Sequence, residues 1–169
     1  MKTALLVIDM QQGLFNTPPY ELEEVVERIN QLTRAARKAD QTVIWVMHEK
    51  EGSPLAYLSP GWQLQPGLQR EPSDQEVRKT TPDAFLRTEL QTLLDAEQVK
   101  QLVICGYACE FCVDTTVRQA AARGYPVTLA ADAHTTHDKP HASAASIRAH
   151  ENATLPNISS FGPRIQAEQ

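Results

Sequence analysis

A chain of 169 residues, 41% apolar and 22% charged, has the length and composition of one domain with a buried core. Sixteen Lys and Arg against twenty-one Asp and Glu leave a net charge of −5 with no basic block, which argues against nucleic-acid and acidic-membrane partners. Three cysteines do not make a disulfide framework, and no apolar run is long enough to cross a bilayer, so the cytoplasm is the expected compartment.

The opening MKTALLVIDM has an apolar run only from Ala4 to Ile8, ending at Asp9 without a small-residue cleavage pattern. It reads as a buried strand over Thr3 to Ile8, not as a signal peptide. Leu22, Val25, Val26, Ile29, Leu32 and Ala36 recur at helical spacing and predict an amphipathic helix from Glu21 to Ala39. Thr42 to Met47 (TVIWVM) is a second strand. From His48 to Thr80 the chain is rich in Pro, Gly, Ser and Gln and reads as a long loop, the kind of segment that tends to carry function.

Thr81-Pro82-Asp83 has the composition of a helix start, continued by Leu86, Leu90, Leu93 and Leu94. Gln101 to Cys105 is a third strand. A helix from Glu110 to Arg123 should stop at Gly124, a natural left-handed cap. Pro126 to Ala130 is a strand, Pro140 to His150 a helix, and Ala153 to Ile158 a short last strand. Apolar strands alternating with amphipathic helices predict a single-domain α/β fold over residues 1–169. Its sheet is parallel, doubly wound and Rossmann-like, with helices on both faces. Ligands of such sheets bind beyond the carboxyl ends of the strands.

Chemistry-bearing residues fall near that edge. Asp9 ends the first strand. Cys112 follows the strand that ends at Cys105, close to a helix start whose free N–H groups favour a thiolate and can hold an oxyanion. Lys79 lies in the long loop. Taken singly, these are a turn former, a small core residue and a solvated cation. Together they are a nucleophile, an acid that takes its proton and a cation that holds the acid ionised. Cys109 and Cys112 also satisfy a Cys-x-x-Cys redox spacing, and a catalytically silent binding protein is a third reading. His134, His137 and His141 are close in sequence but read as capping and turn residues rather than a zinc site. Cys105 reads as buried and inert.

Four segments carry a resemblance: LLVIDMQQGLF at 5–15, KTTPDAF at 79–85, CGYACEFCVDTTVRQAAARGYPVTLAADA at 105–133, and a histidine-bearing tail near RAHENATL at 148–155. In their order the chain resembles the isochorismatase-like cysteine hydrolases, a family that includes nicotinamidases and N-carbamoylsarcosine amidase. The resemblance implies a catalytic triad of Asp9, Lys79 and Cys112, and a cis peptide between Tyr107 and Ala108. It also implies an oxyanion hole from the N–H groups of Ala108 and Cys112. Leu14 and Phe85 fall where the family often lines its pocket, and Trp62, in the Gly-bearing loop SPGWQ, is a further candidate pocket wall. His48-Glu49-Lys50 replaces the Asp-x-His metal pattern of nicotinamidases, so neither metal nor cofactor is expected. The implied activity is hydrolysis of a small amide, ureido or carbamoyl compound through a thioester. Vinyl-ether hydrolysis of the isochorismatase type is the alternative. The partner expected is a small-molecule substrate, and the family implies a homo-oligomer.

Overall fold

The computed structural model describes residues 1–169. Its strands are β1 (Thr3–Ile8), β2 (Thr42–His48), β3 (Gln75–Lys79), β4 (Gln101–Tyr107), β5 (Val127–Thr135) and β6 (Ile165–Glu168). All six pair in parallel in the order β3-β2-β1-β4-β5-β6. The helices are α1 (Leu22–Lys38), α2 (Leu90–Ala96), α3 (Asp114–Ala122) and α4 (Ala144–Thr154). This is a doubly wound α/β fold, and no helix is long and apolar enough to cross a membrane.

Continuous burial explains β1 and β2: all of Thr3 to Ile8 and the five central residues of β2 are enclosed. Each strand feeds two cores. Leu6, Ile8, Ile44 and Val46 face the larger cluster with Leu90, Leu94, Val117 and Leu155. Leu5, Val7, Val43 and Trp45 face the other, under Val25 and Ile29 of α1. Glu23 and Glu24 in the first turn of α1, with Arg37 and Lys38 in its last, complement the helix dipole. Gly124, at φ +95°, follows α3 in the left-handed conformation that ends a helix.

Four expectations need correction. The 48–80 stretch is not all loop: it holds β3, whose Glu76 and Arg78 disguise an edge strand with only Val77 and Lys79 buried. The Thr81-Pro82-Asp83 motif caps a turn rather than a helix. The Asp83 N–H donates to Thr81 Oγ1 and the Phe85 N–H to Asp83 Oδ1, and α2 begins only at Leu90. Residues 153–158 finish α4 and form a 3₁₀ turn that buries Leu155; the last strand is at Ile165. α4 itself starts at Ala144, capped by the Ser143 hydroxyl.

The rest of the 48–80 segment folds back over the carboxyl edge. It is pinned to residues 10–13 by hydrogen bonds from the N–H groups of Gln12, Gly13 and Gln65 to the carbonyls of Gln63, Gly61 and Met10.

Candidate active site

Parallel register brings the strand ends together. Ile8 pairs with Val46 on one side and Gly106 on the other, and His48 pairs with Lys79. The residues that end or follow β1, β2, β3 and β4 therefore share one edge. Asp9 leaves β1 with φ 53°, its N–H donating to the Val46 carbonyl. Gly106 is required where β4 meets β1: at φ +120°, an added Cβ would lie 2.1 Å from the Ile8 carbonyl oxygen.

Asp9, Lys79 and Cys112 converge on this edge. Lys79 is the last residue of β3, not a loop residue, and its side chain is 0% exposed. Its Nζ lies 3.1 Å from Asp9 Oδ2, 3.3 Å from Cys112 Sγ, 3.0 Å from the Thr81 carbonyl oxygen and 2.8 Å from His48 Nδ1. Asp9 is buried, and its Oδ1 has no partner in the protein.

Cys112 occupies a π-helical turn, Cys109–Val113, that precedes α3. Burial first, and the Asp9 carboxylate second, push its thiol up to about 12 against the pull of Lys79. Burial and Asp9 thus oppose the thiolate that the helix start and Lys79 favour. Cys105 and Cys109 are fully buried and free, and burial raises both thiols. A disulfide exchanger needs an accessible pair, and Cys109 offers no accessible sulfur.

The Tyr107–Ala108 peptide is cis. The Ala108 N–H has no backbone or side-chain acceptor. Tyr107 is fixed on both sides: its ring meets Phe15 and His137 edge-on, and its hydroxyl lies 2.7 Å from His137 Nδ1. His137 Nε2 donates to the Thr17 carbonyl oxygen at 2.6 Å, which fixes the ring from its other side. His134 is fully buried against Asn152. The two histidines are thus committed to separate partners.

Two of the three expected pocket walls are core residues. Phe85 stacks on Tyr125, 6.3 Å between ring centroids, and Trp62 packs edge-on against Tyr57 under the loop. Leu14 is half-buried against the Trp62 cluster. His48 is the site residue missed at the sequence level. Its place at the end of β2 was visible, but its contact with Lys79 depends on a strand that was not recognised.

Asp9, His48 and Cys112 are metal-type donors whose ligand atoms lie within 4.8 Å of one another. The set does not fit a divalent ion, because the Lys79 ammonium already lies within 3.3 Å of all three. A second cation would meet it at close range.

A model of the isochorismatase domain matches residues 3–160. The chain belongs to the isochorismatase family. Among family relatives, a streptothricin hydrolase of Streptomyces noursei is 37% identical over 142 residues, covering 82% of this chain and 51% of its own. The chain thus spans about half the length of that relative. The ureidoacrylate amidohydrolase of Methylorubrum extorquens is 28% identical, with 94% and 77% covered. A crystal structure of an isochorismatase family protein superposes with a TM-score of 0.90 at 34% identity, over 99% of this chain and 98% of that one.

Proposed function

We propose that this isochorismatase-family protein is a cysteine-dependent hydrolase of a small amide, ureido or carbamoyl compound. One observation carries the reading: a single buried ammonium touches both the Asp9 carboxylate, at 3.1 Å, and the Cys112 sulfur, at 3.3 Å. Those are the contacts needed to move a proton between acid and thiol while keeping the charges balanced.

Asp9 accepts the Cys112 proton as sulfur attacks the carbonyl carbon. The C=O π pair moves onto oxygen, and the oxyanion is held by the N–H groups of Ala108 and Cys112. The carbonyl re-forms, the C–N bond breaks, and Asp9 returns the proton to the leaving nitrogen. Water, deprotonated by Asp9, then opens the thioester, and the sulfur leaves as a thiol. Lys79 pairs with and orients the Asp9 carboxylate and donates toward the sulfur as negative charge develops there. The raised Cys112 thiol suits this order, because the base is needed at the moment of attack. The amidohydrolase among the relatives supports C–N cleavage as the bond class.

The test is ammonia or amine release from a panel of small amides, ureas and carbamoyl compounds, with Cys112→Ala as control. A hit whose acyl-enzyme appears by mass spectrometry on Cys112 supports the reading. Turnover of a vinyl ether alone, undiminished in Cys112→Ala, would replace it with C–O hydrolysis.

A further inference from the structure

Among the side chains in the four-way contact of Lys79, one has no task in the proposed reaction. His48 follows the buried run of β2, and its backbone is clamped by a fully buried Gln11. The Gln11 Nε2 donates to the His48 carbonyl, and the His48 N–H donates to Gln11 Oε1, both at 2.9 Å. The imidazole is thereby aimed at Lys79, with Nδ1 2.8 Å from Nζ, the shortest of that ammonium's contacts.

A lysine ammonium has three donors and no lone pair. Nδ1 must therefore accept, so the imidazole is neutral with its proton on Nε2. Asp9, Thr81 and His48 supply three acceptors for the three N–H groups, and the longer Cys112 contact shares one of them. A carboxylate in place of His48 would anchor the ammonium equally well but would cancel its charge. A neutral nitrogen anchors it and leaves that charge to Asp9 and to the sulfur.

We propose that His48 is a positioning residue: through Nδ1 it holds the Lys79 ammonium directed between Asp9 and Cys112. The consequence for turnover rests on the hydrolase reading above; the contact and its effect on sulfur reactivity do not. An apolar side chain at 48 would leave the weak Cys112 sulfur as the only acceptor for the third N–H, and the ammonium would no longer be held between Asp9 and Cys112. An ammonium turned away from the sulfur favours the thiolate less.

Burial and the neighbouring Lys79 hold the imidazole below the usual histidine range, while Asp9 and Glu49 oppose them and Lys50 adds to them. Cys112 completes the set of titratable groups that face it. Below that titration Nδ1 carries a proton, ceases to accept, and sets a second positive charge against Lys79.

The experiment is the rate of Cys112 alkylation by iodoacetamide, read by peptide mass against pH, in the parent protein, His48→Asn and His48→Leu. Asn places a non-titrating carbonyl oxygen near the position of Nδ1, whereas Leu fills the space without an acceptor. At about pH 8, His48→Leu should react about tenfold more slowly, as a one-unit rise in thiol pKa requires, and His48→Asn within about threefold of the parent. The parent should also show a break in log rate on the acid side that His48→Asn lacks.

Equal rates in the parent and His48→Leu, or an equal loss in Asn and Leu, would overturn the role. If His48→Leu does not fold, the acid-side comparison with His48→Asn decides alone, a break retained in His48→Asn counting against the role. No substrate is needed, so failure of the amide screen and failure of this inference are separate results.

Discussion

Lys79 Nζ lies 3.1 Å from Asp9 Oδ2, and both side chains are almost wholly removed from solvent, at 0% and 3% exposure. A lysine in a loop would be expected to matter for turnover and little for folding. A buried, strand-terminal lysine paired with a buried carboxylate matters for both, because removing it leaves Asp9 charged and alone.

Lys79→Met should therefore abolish amide hydrolysis and also lower unfolding free energy by about 3–5 kcal/mol. Urea titration beside the activity assay checks this. A variant as stable as the parent would refute the pairing's role in stability.

The two cysteines of the Cys-x-x-Cys spacing should separate cleanly. Cys112→Ser should fold and lose amide hydrolysis by about three orders of magnitude, since a hydroxyl is a far weaker nucleophile at neutral pH. Cys109→Ser buries a hydroxyl at a fully enclosed site and should cost about 1–3 kcal/mol while keeping turnover within about threefold. Comparable losses of turnover in both, with disulfide reductase activity in the parent, would favour redox chemistry.

The raised Cys112 thiol makes a prediction about pH. A group that ionises only near 12 is a vanishing fraction thiolate at neutrality, and that fraction grows tenfold with each unit. Iodoacetamide labelling of Cys112 should therefore climb about tenfold per unit from about pH 7 to about pH 10. A plateau beginning near neutrality would instead reveal a preformed thiolate. Cys105 and Cys109 should stay unlabelled throughout, being buried.

Gly106→Ala should not be tolerated. The new methyl would lie 2.1 Å from the Ile8 carbonyl oxygen and 2.6 Å from the Ile8 nitrogen, both backbone atoms of a central strand. A loss of more than about 4 kcal/mol, read as a collapsed melting temperature or insoluble protein, is expected.

The sequence carried the parts of the fold that depend on uniform burial or clear period. Thr3 to Ile8 is one uninterrupted apolar run, and Val25, Ile29 and Ala36 mark one face of α1. β3 was hidden because an edge strand exposes alternate residues, so Glu76 and Arg78 look like loop. The Thr81 turn was misread because the residues that cap helices also close turns. For the site, Asp9 and Cys112 were legible from their places beside strand ends. The contact of His48 with Lys79 was not, since the register between β2 and β3 is a property of the folded sheet.

β3 pairs only with β2, and it delivers the ammonium from the rim of the sheet rather than its centre. Such a strand opens by peeling, at a free energy below that of global unfolding. Each opening withdraws Lys79 from Asp9 while β1 and β4 remain paired. Heat should accordingly take the site apart before it melts the protein, with amide exchange at Val77 and Lys79 outrunning that of Leu6 and Ile104. The lifetime of the assembled site is then the closed lifetime of five residues at the sheet's margin.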